Sequence, residues 1–237
     1  MYILVDYDNI QKSVRRNGVE FVVEKILRVF DSSALAQKKR INIRFYGGWY
    51  DGVDLTRQAQ QLVVEIGALQ SHIFYTSLFG QQKKLPVHIE MAYSLAVAPS
   101  KLLPATFRPG RPALEKIKSH HPSKFGCIED GCPMLLVYQY ISSGECPEKN
   151  CKKPMGRLFY TDEQKLVDTM LSVDLLHYAV RQSEDIALVS SDDDFWPSII
   201  SLLTSGAKLT HILTSGNSAY SRNYLSGLSD NYTALEM

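Results

Sequence analysis

Aspartates stand in two short runs of this chain, each where an apolar stretch ends. Asp6-Tyr7-Asp8-Asn9 follows Tyr2-Ile-Leu-Val5, and Asp192-Asp193-Asp194 follows Ile186-Ala-Leu-Val-Ser190. Carboxylates held close together raise one another's pKa unless a cation neutralises them. Hard oxygen donors of this kind suit Mg²⁺ or Mn²⁺. Brought together by the fold, the two runs would make a divalent-cation site. Taken singly, each is equally a set of turn formers and helix caps. Asp194 fits that second role well, because a helix starts at Phe195-Trp196-Pro197. Two further acids, Asp168 and Asp174, lie in a segment that reads as one long helix, Thr161 to Arg181. Its opening, Thr161-Asp-Glu-Gln164, fits a capping box, and Lys165 and Asp168 then share a face in the first turns. Asp174 falls among Leu166, Val167, Met170, Leu171 and Tyr178, so it either binds metal or makes a buried hydrogen bond. No Ser-His-Asp or Cys-His nucleophile set is present.

The elements that must position these acids alternate. Tyr2 to Val5 reads as a buried strand, and Gly18 to Phe30 as a helix with apolar residues at helical spacing. Ile41 to Tyr46 is a second strand stopped by Gly47-Gly48. Asp54 to Ile66 is a second helix closed by Gly67. Ser71 to Thr76 reads as a third strand, and Val87 to Val97 as strand or helix. After residue 160 the rhythm resumes with the long helix, a strand at Ile186–Ser190, a helix at Pro197–Thr204, a strand at Lys208–Leu213 and a short helix at Ala219–Leu228. Such alternation predicts an α/β fold, a parallel sheet with helices on both faces. Sites in such sheets lie beyond the carboxyl ends of the strands.

Between these halves, residues 104–159 differ in character. Pro104, Pro109, Pro112 and Pro122 rule out element interiors. All four cysteines, Cys127, Cys132, Cys146 and Cys151, stand in one short window. Their two matched pairs could close a tetrahedral structural Zn²⁺ site, with Met134 to Ile141 as a β-like run of a zinc ribbon. Four free thiols or two disulfides are the alternatives. Residues 81–124 carry eight cations, Lys83, Lys84, Lys101, Arg108, Arg111, Lys116, Lys118 and Lys124, against Glu90 and Glu115. That excess could follow a phosphate backbone or form a solvated linker. Trp49 and Tyr50 could stack on a base or belong to the core, and His177 reads as a packed core histidine.

The chain has 237 residues, 45% hydrophobic and 22% charged, with a net charge of +1. That is ordinary for a globular protein and neutral as to nucleic acid. No signal peptide and no run of 18 apolar residues stands out, so a cytoplasmic location without a membrane partner is expected, with a homo-oligomer left open.

Three segments together resemble the NYN domain family, a PIN-like group. Ile3-Leu-Val-Asp6-Tyr-Asp-Asn9 is similar to its opening strand. Gln164-Lys165-Leu-Val-Asp168, followed by Asp174, resembles its lysine–aspartate helix. Ala187-Leu-Val-Ser-Ser-Asp192-Asp-Asp194-Phe195 resembles its Asp-x-Asp-Phe strand end. Leu166 and Ser191 stand where the family commonly has glycine. The resemblance covers residues 1–100 and 160–215 and implies a PIN-like fold and a metal-dependent nuclease, acting on RNA rather than DNA. Asp6, Asp168, Asp192 and Asp194 would hold Mg²⁺ or Mn²⁺, with Asn9 orienting a ligand or water and Asp174 as a further carboxylate. Hydrolysis would proceed by in-line attack of water on the scissile phosphorus. Lys165, Arg108, Arg111, Lys152 and Lys153 are the expected substrate-binding residues, the last four as one wall of the substrate groove. Two competing functions are a phosphatase of the HAD kind, with Asp6 as nucleophile and Asp8 as acid, and a nucleic-acid-binding NYN scaffold with little activity.

Overall fold

The computed structural model describes residues 1–69, 73–78, 81–110, 119–126, 132–148, 150–151, 153, 161–164, 166–180, 185–215 and 230–237. It divides into two compact units, Met1–Phe107 with Gln164–Met237, and Arg108–Glu163.

In the first unit the chain runs β1 (Tyr2–Asp6), α1 (Lys12–Arg15), α2 (Gly18–Arg28), α3 (Ser32–Ala36), β2 (Ile41–Tyr46), β3 (Tyr50–Asp51), β4 (Asp54–Leu55), α4 (Arg57–Leu69), β5 (Phe74–Leu78), β6 (Gln81–Leu85) and β7 (Val87–Met91). Then come β8 (Phe107–Gly110), α5 (Pro133–Ser143), β9 (Thr161–Gln164), α6 (Val167–Val180), β10 (Ile186–Val189), α7 (Trp196–Thr204), β11 (Leu209–Leu213) and β12 (Tyr232–Glu236). Six strands form one sheet in the order β12-β11-β10-β1-β2-β7. Every pairing in it is parallel.

Side chains alternate across a strand, and β1 shows why its run is apolar throughout. Ile3 and Val5 enter one core with Val22, Val23 and Ile26 of α2 and Leu62 of α4. Leu4 enters the other with Leu171 and Leu175 of α6 and Ile199 and Leu202 of α7. Helices thus cover both faces of the parallel sheet, as the alternation predicts. Among the described residues no helix is long and apolar enough to cross a membrane.

Several sequence expectations need correction. Thr161–Gln164 is a strand, so the capping box does not exist. The helix begins at Val167, with the Leu166 carbonyl accepting from Met170 N at 2.7 Å. Leu166 enters it in the left-handed region, at φ 71°. The third strand is Phe74–Leu78, and it pairs antiparallel with β6 in a separate ribbon rather than joining the sheet. The sheet takes β7 instead, which resolves the mixed signal at Val87–Val97 as strand up to Met91. The second helix starts at Arg57, because Asp54–Leu55 pairs with Tyr50–Asp51 and Thr56 Oγ1 accepts from Ala59 N at 3.2 Å as its cap. It also runs past Gly67 to Leu69. Strand β12 was not foreseen, and the expected helix at 219–228 lies outside the described residues.

In the second unit, the β-like run Met134–Ile141 is helical, as part of α5. Pro133 opens that helix and Gly144 closes it at φ 74°. This is the usual placing of proline at the start and glycine past the end, and it outweighs β propensity. Among the described residues, the segment between Cys132 and Cys146 is therefore a helix and not a strand of a ribbon.

Candidate metal centre at the sheet switch point

Strand order explains how distant aspartates meet. The chain leaves β1 toward α2 on one face and leaves β10 toward α7 on the other. Those two strands are neighbours, so a crevice opens between their carboxyl ends, where ligands of open α/β sheets bind. Asp6 ends β1. Asp192 lies just past β10. Helix α6 precedes β10 and presents Asp168 in its first turn, where the helix dipole favours a carboxylate. Asp6, Asp168 and Asp192 each bring one carboxylate oxygen within 4.8 Å of the others.

Each acid is held differently. Asp6 is buried. Its Oδ2 accepts from Ser190 Oγ at 3.1 Å and its Oδ1 from Asn9 N at 3.3 Å. Ser190 Oγ in turn accepts from Asp192 N at 3.1 Å, which joins the two strand ends. Burial pushes the Asp6 carboxyl up to about 7, helped by the charges of Asp168 and Asp8 and opposed by the Ser190 and Asn9 bonds. Asp168 is also raised, by burial first and then by Asp192, Asp194 and Asp8. Asp192 spends one oxygen on Asp194 N at 3.0 Å, capping the 3-10 turn Asp193–Phe195. Raised acids of this kind favour a proton or a cation in their midst.

Asp194 is exposed and stands outside the close trio, near enough to act on Asp168. Asn9 ties strand ends together: its Oδ1 accepts from Ser191 N at 2.8 Å and Thr214 Oγ1 at 2.5 Å. Asp174 takes the hydrogen-bonding alternative. It is fully buried away from the trio and accepts from Tyr46 Oη at 2.7 Å and Ala96 N at 2.8 Å, with Arg44 Nε at 3.4 Å. Asp8 accepts from Arg15 at 3.1 Å, Gly48 N at 2.9 Å and Gln58 Nε2 at 2.8 Å.

Trp49 belongs to the core, with no exposed surface. Tyr50 packs edge-on against Tyr93. His177 is half-buried against Tyr178. Lys165, Arg111, Lys152 and Cys127 lie outside the described residues, as does the side chain of Arg108. Lys153 is exposed, and its carbonyl accepts from Cys146 N at 3.2 Å. Cys132, Cys146 and Cys151 are half-buried residues of the second unit and form no disulfide among the described residues. Among the described residues they are not gathered at metal-ligand spacing, whereas the three aspartates are.

Sequence reasoning missed Ser190 and Thr214, which lock the strand ends. Their only signal is a small hydroxyl residue directly after an apolar run. Compared with known proteins, this chain is matched by no family model, no curated protein and no solved structure.

Proposed function

We propose that the chain is a divalent-cation-dependent nuclease of the NYN/PIN-like kind, with RNA favoured over DNA as its substrate. The observation that carries this reading is the meeting of Asp6, Asp168 and Asp192 within 4.8 Å at the crevice between β1 and β10. Their hard oxygens fit Mg²⁺ or Mn²⁺. A cation held there would neutralise phosphoryl charge and make water more acidic. The chain's own part is positioning. Ser190 and Asn9 fix the Asp6 carboxylate, Asp192 keeps an oxygen beyond its capping bond, and Asp168 comes from the first turn of α6. Asp194 lies close enough to draw in a second cation or a water.

The phosphatase alternative needs Asp8 as a free proton donor, and three donors already occupy that carboxylate. For the cysteine window we propose one structural Zn²⁺ on Cys127, Cys132, Cys146 and Cys151. Because the three described cysteines are not gathered as one ligand set, metal uptake there would be coupled to local folding. The nuclease reading is tested by incubating labelled RNA and DNA oligonucleotides with Mn²⁺, Mg²⁺ or EDTA. Cleavage that needs the cation and is lost in Asp6→Asn supports it; no cleavage of either polymer removes it.

A further inference from the structure

A cavity of about 410 Å³ lies between α1 and α4, on the sheet face that carries α2. Its volume is that of a small-ligand site. Lys12, Arg15, Arg16 and Arg57 line it, against a single acid, Glu65. Glu65 is already engaged, accepting from Val19 N at 2.8 Å and Gln61 Nε2 at 2.7 Å. Lys12, Arg16 and Arg57 are exposed, and among the described residues none has a carboxylate in ion-pair reach. Arg15 pairs with Asp8 at 3.1 Å and lies over the Tyr7 ring at 5.5 Å. Its Nε is shielded from solvent with no acceptor among the described residues. An anion that drew this guanidinium slightly outward would supply one.

The cavity is thus basic where the aspartate floor is acidic, and Asp8 links the two. Asp8 accepts from Arg15 and Gln58 of the cavity, and its charge is felt by Asp6 and Asp168. We infer that this cavity is a phosphate subsite, which holds a backbone phosphate of a nucleic-acid strand whose neighbouring phosphodiester lies on the three aspartates. The inference rests on the nuclease reading. Guanidinium groups grip phosphate with paired, charge-assisted bonds. A cation cluster beside an acidic floor also sets the path of the strand, because a polyanion running from one to the other, with a cation on the floor, satisfies both.

The test uses binding of a fluorescent single-stranded RNA with Ca²⁺ in place of Mg²⁺ or Mn²⁺, read by anisotropy over a series of salt concentrations. The triple variant Lys12→Ala/Arg16→Ala/Arg57→Ala is compared with wild type, with Arg15 left in place because it supports Asp8. Binding should weaken at least about tenfold at roughly 0.1 M salt, and the slope of log K against log salt should flatten by about two, near 0.7 for each lost contact. Thermal stability should hold, since exposed charges contribute little. The double variant Arg16→Lys/Arg57→Lys should keep most of the slope. Unchanged affinity and slope in the triple variant overturn the subsite, as does a wild-type chain that binds no strand. Parallel cleavage assays with Mn²⁺ separate the two ideas. Wild-type cleavage with unaltered triple-variant binding removes only the subsite. Binding that depends on the three cations without cleavage keeps the subsite and removes the hydrolytic reading.

Discussion

His211 gives a stability prediction that can be worked from its surroundings. It is 2% exposed on β11. Ser190 O accepts from Nε2 at 2.9 Å, so that nitrogen carries the proton, and Nδ1 is left to accept from Tyr232 Oη at 2.9 Å. The ring also meets the Trp196 edge at 5.8 Å. Burial drives its pKa from 6.5 down to about 4, with the Ser190 bond a smaller opposing influence. A base depressed in this way is neutral in the folded chain where the unfolded chain has already taken a proton. Its contribution is therefore complete above pH 6.5 and is lost as the pH falls toward 4. At about 1.36 kcal/mol for each tenfold change in proton affinity, the full loss is roughly 3 kcal/mol, of which about 2 kcal/mol is gone by about pH 5. Urea unfolding at pH about 7, 6 and 5 should show this, set against His211→Gln, which can keep a donor for Ser190 O but does not titrate. Acids elsewhere titrate in both proteins and cancel. The variant is less stable at neutral pH, and its deficit should shrink on acidification by about 1 M in midpoint for an m-value near 2 kcal/mol/M. Parallel curves for the two proteins would refute the reasoning.

Other outcomes follow from single residues. Asp6→Asn and Asp192→Asn should each abolish cation-dependent cleavage with the fold retained by circular dichroism; turnover like wild type in either would remove the metal centre. Asp174→Ala should destabilise the chain by about 2–4 kcal/mol, because it leaves Tyr46 Oη and the Ala96 amide without their acceptor while Glu90 and Ser94 O still hold Arg44; a variant of normal stability and lost activity would return Asp174 to the catalytic set. Leu166→Gly should raise the thermal midpoint, since relief of a left-handed leucine is worth about 1–2 kcal/mol and the side chain is 39% exposed; a clear loss of stability contradicts the strain. Elemental analysis of the purified chain should find about one zinc, released when the four cysteines are alkylated; its absence removes the proposed Zn²⁺ site.

What could be read in the sequence was whatever a strand or helix states within its own length. The apolar runs at Tyr2–Val5 and Ile186–Val189 marked strands buried on both faces, and the acids just beyond them marked the sheet's carboxyl edge. What could not be read depended on distant partners. Thr161–Gln164 satisfies a capping pattern yet is a strand, since four residues do not record what they pair with. Phe74–Leu78 has strand composition, but nothing local says that its partner is β6 and not the main sheet. For Asp174, periodicity located the burial; only the fold supplied Tyr46, Ala96 and Arg44 as its partners. The basic cavity was invisible for the same reason, because Arg57 joins Lys12 and Arg16 only across two helices.

The short link after β1 stitches its neighbours sideways. Asp8 reaches the backbone beyond β2, Asn9 reaches the ends of β10 and β11, and Ser191 Oγ accepts from the amides of Thr214 at 2.9 Å and Ser215 at 3.0 Å. Loops usually exchange their amide protons quickly, by opening one at a time. Here Asn9 Oδ1 accepts from both the Ser191 amide and the Thr214 hydroxyl, and the Thr214 amide donates to Ser191 Oγ, so neither residue can open without loosening the other. Their deuterium uptake should be slow and should rise in concert, at a rate set by the sheet beneath them. Truncating Asn9 to alanine would remove the acceptor of the Ser191 amide and of the Thr214 hydroxyl, so Ser191 should become a fast-exchanging loop amide and Thr214, left with its bond to Ser191 Oγ, should speed up less.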